Sequence, residues 1–260
     1  MNLQINPFVI SNDSEKSYTS YAVHLTGFIR SLFSPRRNSV FIISILLLSA
    51  CGSKQSSTTD NVATSTKPDS TSSAKTVLFF GDSLTAGYGL DDQSQAFPAV
   101  VQSKIDSVKL PYHVVNAGVS GETSAGGRGR INWILKQRVD VFVLELGAND
   151  GLRGIPVSET TANLQAIIDA VKTKYPKARL VMMGMQVPPN MGNIYAYSFK
   201  AIFPELAAKN KMILMPFLLK DVAGNPKLNQ KDGIHPTAEG AKIVGGNVWE
   251  VLHGVLLSKN

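Results

Sequence analysis

A parallel α/β sheet covered by helices on both faces is the fold class predicted for residues 75–260, and three observations predict it. Five short apolar runs alternate with helical patterns, the loops directly after those runs carry Gly, Asn, Asp and Ser, and the composition changes sharply near residue 74. The runs lie at 76–80, 112–115, 141–146, 180–183 and 212–214, each of strand length. Between them the spacing predicts helices over 97–106, 126–136, 159–174 and 197–209. A last helix should follow Pro236, which suits the first helical position because it has no N–H, and should run to about Leu257. Sheets of this kind place their chemistry in loops at the carboxyl ends of the strands. A domain of this length can bury about 70% of its unfolded surface and stand alone.

Residues 1–51 read as an N-terminal extension that ends in an export signal. Arg36 and Arg37 precede an apolar run over 40–50, and Ser49 and Ala50 then lead into Cys51, the one cysteine of the chain. A run this short is not a permanent span, because a helix needs about 20 apolar residues to cross a bilayer. The string Leu48-Ser49-Ala50-Cys51 resembles the lipobox of bacterial lipoproteins, in which the cysteine is acylated and becomes the mature N-terminus. That resemblance implies lipid attachment at Cys51. With Gly52 rather than Asp behind it, it also implies the outer membrane of a Gram-negative bacterium, facing the periplasm. Residues 52–74 are dominated by Ser, Thr, Asp and Lys with no aromatic, and are predicted to be a disordered tether.

The chain carries a formal charge of +7. Residues 1–51 hold four of its 26 Lys and Arg and two of its 19 Asp and Glu, which leaves +5 beyond them. The cations are scattered and never interleave with aromatics, which argues against nucleic-acid binding and leaves mild attraction to anionic lipid. No metal-ligand spacing and no dinucleotide fingerprint occurs in a fitting context, so no cofactor is expected.

Four loops hold the residues that carry chemistry. After the first run comes Gly81-Asp82-Ser83-Leu84, where Ser83 would sit at the start of a helix whose N–H groups favour a developing negative charge. The same letters suit a helix cap, and the residues alone leave both readings open. Near the other end stands Asp232-Gly233-Ile234-His235-Pro236. A serine needs a base to lose its proton, and an acid three residues before an imidazole can reach its second nitrogen. His235 is the base candidate: His24 lies before Cys51, His113 falls in a predicted strand, and His253 falls late in the last helix. The loops Asn116–Thr123 and Gly147–Gly151 offer glycine N–H groups and an asparagine amide, which can serve a tetrahedral oxyanion or simply make turns.

Together the four loops resemble the GDSL or SGNH hydrolase family, a three-layer, flavodoxin-like α/β/α fold. The strings Ser120-Gly-Glu-Thr123, Glu145-Leu-Gly-Ala-Asn-Asp-Gly-Leu-Arg-Gly154 and Asp232-Gly-Ile-His-Pro236 look most like its bacterial acyl thioesterase, lysophospholipase and arylesterase group. The resemblance implies Ser83 as nucleophile, His235 as base, Asp232 as its orienting acid, and an oxyanion hole from Ser83 N–H, Gly121 N–H and the Asn149 side chain. Gly118 is the second choice for the glycine. It further implies a monomer acting on short- to medium-chain acyl esters, aryl esters and lysophospholipids, with thioesters as a capability. Two segments are candidates to line the acyl site: Gly151, Leu152, Arg153, Gly154, Ile155 and Pro156, bracketed by glycines, and the proline-rich stretch 185–195. Met182 and Met183 are expected in the core. Two rivals remain, a carbohydrate O-acetylesterase of the same family and a lipoprotein that binds lipid without turnover.

Overall fold

The structure, a computed structural model, describes residues 74–258. The expected signal, the acylation site at Cys51 and the tether up to residue 73 lie outside the described residues. Five strands are present among the described residues: β1 (Lys75–Gly81), β2 (Tyr112–Gly118), β3 (Val141–Glu145), β4 (Arg179–Met183) and β5 (Ile213–Met215). Seven α-helices accompany them: α1 (Ser83–Ala86), α2 (Phe97–Ser107), α3 (Ser124–Ile134), α4 (Ala148–Leu152), α5 (Val157–Lys174), α6 (Asn193–Asn210) and α7 (Ala238–Leu257). The sheet runs β2-β1-β3-β4-β5 and every pairing is parallel.

β1 is an interior strand, and its Val77, Leu78, Phe79 and Phe80, apolar on both faces, are all fully buried. Successive side chains of a strand point to opposite sides. Phe79 meets Phe97 of α2 edge to face at 5.5 Å, whereas Phe80 packs at 5.7 Å from Phe142 on the other side. On the Phe79 side α7 lies close against α2, with Gly245 facing Val100 where a larger residue would collide. On the Phe80 side Gly127 of α3 nestles among Leu146, Phe80 and Ile167 of α5. Three layers result, as the alternation of runs and helical patterns predicts.

The chain leaves β1 for β2 on one side and later adds β3 on the other. Loops at the carboxyl ends of β1 and β3 therefore diverge and leave a crevice between them. Several boundaries differ from the sequence reading. β2 extends to Gly118 because its pairing with β1 continues to the end of that strand. The short helix α4 occupies what reads as loop, and the helix expected at Ser83 is only four residues long. Pro236 does not open the last helix: Thr237 caps it by accepting from Gly240 N–H at 3.2 Å, and Pro236 pairs in a bridge with Asn229. A hydroxyl that satisfies an open N–H does more for a helix start than a residue that lacks one. Among the described residues no helix is long and apolar enough to cross a membrane.

Candidate active site

β1 ends at Gly81, where an added Cβ would collide with Thr85 Oγ1 and Glu145 Oε2. Close approach, not turn geometry, requires glycine there. Asp82 then caps α1, its Oδ1 accepting from Leu84 N–H at 3.0 Å. The cap in Gly-Asp-Ser is thus Asp82, and Ser83 is left at the first helical position with its hydroxyl available.

Ser83 Oγ lies 2.8 Å from His235 Nε2, and His235 Nδ1 lies 2.7 Å from Asp232 Oδ2. A carboxylate only accepts, so Nδ1 holds the ring proton and Nε2 accepts from the serine hydroxyl. Asp232 is fixed in turn, its Oδ1 accepting from the N–H groups of Ile234 at 2.9 Å and His235 at 3.0 Å. Gly233, at φ 72°, makes that turn possible. Partial burial pushes the Asp232 carboxyl up, but the bonds from the His235 ring and the two N–H groups outweigh it and hold the group at about 2. Its charge is therefore constant across the neutral range.

Gln230 joins this turn to the nucleophile. Its N–H donates to His235 O at 2.7 Å, and its Nε2 donates to Tyr88 O at 2.7 Å and Pro236 O at 2.9 Å. The Tyr88 ring stands 4.7 Å from the imidazole.

Gly121 and Asn149 line the same cleft as Ser83, Asp232 and His235. Gly118 does not: its N–H donates to Asn116 Oδ1 at 3.0 Å, and an added Cβ would collide with the Ala86 backbone. Asn149 sits one residue into α4, and its Nδ2 donates to Asp82 Oδ2 at 3.2 Å. One of its two N–H groups is so engaged, and the other remains for a ligand. Burial lifts the Asp82 carboxyl to about 6, against the pull of the Leu84 N–H, the Asn149 amide and His235. Beneath it Glu145 Oε2 accepts from Asp82 N–H at 3.1 Å and from the Thr85 hydroxyl at 2.7 Å. Full burial, then the nearby Asp82 charge, push Glu145 well above the usual carboxylate range. Two buried carboxyls this close disfavour a double negative charge, and the Asn149 amide favours charge on Asp82.

The segment expected to line the acyl site divides. Gly151 and Leu152 end α4, Arg153 caps it, Gly154 turns the chain at φ 65°, and Pro156 precedes α5. Of the six, Leu152 alone lines the cleft. Gly151 is buried where a Cβ would strike Val187, Ile155 N–H returns to Asp150 O at 3.0 Å, and Arg153 Nη2 donates to Gly121 O at 3.0 Å. From the proline-rich stretch, Met185, Gln186, Val187 and Pro188 line the cleft, while Met182 and Met183 are core. The cleft measures about 890 Å³ and is walled by Leu84, Leu152, Met185, Val187, Phe217 and Ile234. That is the size and character of a site for an apolar small molecule.

Sequence reasoning missed Asp82, Tyr88, Gln230 and Glu145 as parts of this site. One signal was there for Glu145: an acid inside an apolar run read as a buried strand needs a reason.

A hydroxyl, an imidazole and a carboxylate joined by two bonds at an apolar cleft, on a three-layer parallel sheet, define an acyl hydrolase. Comparison with known proteins gives the family. Residues 79–243 match the GDSL-like lipase/acylhydrolase family, and the chain belongs to it as a carboxylic ester hydrolase. It is 39% identical over 184 residues to esterase TesA of Pseudomonas aeruginosa, an alignment covering 70% of this chain and 90% of that one. It is 40% identical over 172 residues to thioesterase 1/protease 1/lysophospholipase L1 of Escherichia coli K12, covering 66% and 80%. A crystal structure of TesA superposes with a TM-score of 0.67 at 38% identity, covering 70% of this chain and all of that one.

Proposed function

We propose that this protein hydrolyses short- to medium-chain acyl esters, aryl esters and lysophospholipids through an acyl-enzyme on Ser83. The observation that carries the reading is the single cleft in which Ser83, Gly121, Asn149 and His235 meet an apolar wall. His235 Nε2 takes the Ser83 proton as Oγ attacks the ester carbonyl, and Asp232 holds the ring and steadies the imidazolium. The carbonyl oxygen becomes an oxyanion, for which Ser83 N–H, Gly121 N–H and Asn149 Nδ2–H are the donors. Collapse breaks the ester C–O bond, and the imidazolium gives its proton to the departing alcohol. Water then attacks the acyl-enzyme, again losing a proton to His235, and releases the acid and the serine.

The apolar wall favours an acyl chain over a sugar, which would need polar groups along an open groove. The names of the relatives, esterase and thioesterase 1/protease 1/lysophospholipase L1, agree with this range and add thioesters to it. The test is a rate panel on the full-length protein and its Ser83→Ala variant, with p-nitrophenyl esters of increasing chain length, lysophosphatidylcholine and an acetylated polysaccharide. Serine-dependent turnover of the first two groups is expected. Turnover confined to the polysaccharide would replace the reading with a carbohydrate O-acetylesterase.

For location we propose a monomer anchored at the outer membrane through lipid on Cys51, supported by the string 48–51 at the end of an apolar run. Stable anchoring takes more than one acyl chain, as lipoprotein maturation supplies. Fractionation of cells expressing wild type and Cys51→Ser tests it: the wild type is expected with membranes and the variant in the periplasm, with equal activity on a soluble aryl ester. An unmodified Cys51 by mass spectrometry sinks the anchor and leaves the catalytic reading standing.

A further inference from the structure

Two of the three oxyanion donors come from chain segments that must hold a fixed separation. Ser83 N–H follows β1, and Gly121 N–H lies in the loop after β2, at φ 77° with no side chain to anchor it. Neither backbone N–H can adjust alone, because a donor displaced by a fraction of an ångström loses most of its value to the transition state. Arg153 Nη2 holds the Gly121 carbonyl from one side, and Glu122, the residue next to it, is held from outside the cleft.

Arg130, on α3, does this from below. Its Nε donates to Glu122 Oε1 at 2.6 Å and its Nη2 to Glu122 Oε2. The same Nη2 donates to Ala117 O at 2.8 Å and reaches Gly81 O at 3.3 Å. One guanidinium thus touches the last residue of β1, a residue at the end of β2, and the residue directly after Gly121. Its Cζ lies 4.0 Å from the Phe80 ring centroid, so the guanidinium rests on that ring. Glu122 is largely buried, so the pair is shielded from solvent. Gly126 faces the Glu122 side chain from the first turn of α3, leaving room for the carboxylate.

We infer that Arg130 is a positioning residue for catalysis: its fork holds Glu122, and through it the Gly121 N–H, in register with the Ser83 N–H. The inference rests on the proposal that Gly121 is an oxyanion donor. Arg130 itself lies outside the cleft lining. A lysine cannot replace it, since an ammonium has no planar fork to meet both carboxylate oxygens.

The test separates positioning from stability. Full-length Arg130→Lys, Glu122→Gln and the double variant Arg130→Met/Glu122→Leu are assayed with p-nitrophenyl butyrate, well below their unfolding temperatures. The double variant replaces a buried ion pair by apolar side chains of similar volume, a change that commonly leaves stability intact. Expected are losses in kcat of about 10-fold or more for Arg130→Lys and for the double variant, with KM changed less than about threefold, against the 10²–10³-fold of a donor removed outright. Affinity for an alkylboronic acid, whose tetrahedral adduct on serine places an oxygen among the same donors, should fall in parallel with kcat. Folded variants that keep kcat within twofold, or that lose activity wholly through KM, overturn the inference. Asn149→Ala run alongside distinguishes the failures: if it too leaves kcat unchanged, the oxyanion reading itself is wrong, and if it alone lowers kcat, only the role of Arg130 falls.

Discussion

Asn149 Nδ2 donates to Asp82 Oδ2 at 3.2 Å, so the residue that caps the nucleophile helix also orients the amide facing the cleft. Asp82 accepts on both oxygens, from Leu84 N–H and from Asn149, and no neutral amide can do so. In Asp82→Asn the oxygen would stay with Leu84 and a donor would face a donor. The Asn149 amide should then turn over and present its oxygen to the oxyanion. We expect kcat to fall about 100-fold, with a smaller change in KM and unchanged circular dichroism. A variant with wild-type kcat would show that the amide is oriented by something else.

The same carboxyl sets a pH dependence of stability. Its folded value, about 6, lies above the 3.8 of an ordinary aspartate, so the folded chain binds this proton more tightly than the unfolded chain. Its contribution is most favourable below pH 4 and is lost as pH rises through 6, where a buried charge forms. Glu145 is shifted in the same direction, by burial first. Asp232, held at about 2, has the opposite sign: its contribution is present above pH 4 and is lost as pH falls through 2. Melting temperatures of wild type and Asp82→Asn at pH 8 and pH 4.5 test this. The difference, variant minus wild type, should be larger at pH 8, and an equal or reversed difference would contradict it.

Ser83→Ala should abolish ester turnover with the fold intact, since it removes one atom, the attacking oxygen. His235→Ala should be nearly as severe. Asp232→Asn should leave more activity, because the carboxylate orients and steadies the ring without taking the proton. Single-turnover kinetics on folded protein measure all three. Turnover by Ser83→Ala above a few per cent of wild type would remove the serine from the mechanism.

Gly118→Ala should injure both stability and rate. A Cβ there would meet the Ala86 backbone and come within 2.8 Å of Asp82 O, and backbone cannot rotate away as a side chain can. Crowding of this kind costs about 1–3 kcal/mol. Urea unfolding should move to lower concentration, and kcat should drop because Asp82 and Ser83 sit on the displaced turn. At Gly129, exposed inside α3 with nothing within 4 Å, the same substitution should leave kcat unchanged and stabilise the fold by about 0.5–1 kcal/mol, because alanine favours a helix over glycine.

By itself the sequence determined the layers of this protein and the residue types of its site. Runs such as 77–80 and 141–144 are apolar without interruption because a parallel strand is covered on both faces, and that pattern is local and legible. Gly81-Asp82-Ser83 and Asp232-Gly-Ile-His235 stand out for a like reason, since the first spans the junction of β1 and α1 and the second lies in the loop before α7. Only the tertiary structure decided that Asp82 and not Ser83 is the cap, because a cap is defined by where one oxygen lies relative to one N–H. The resemblance of Ser120-Gly-Glu-Thr123 favours Gly121 over Gly118, but the physical difference between them is tertiary: Gly118 ends β2 with its N–H taken by Asn116, whereas Gly121 lines the cleft. Gln230 could not be read at all, for its side-chain bond to Tyr88 O joins segments distant in sequence, and no local pattern records a contact made by folding. Leu152 rather than its five neighbours lines the cleft because Gly151 is pressed against Val187 and Arg153 is drawn to Gly121 O, interactions that exist only once the sheet has brought those loops to one end.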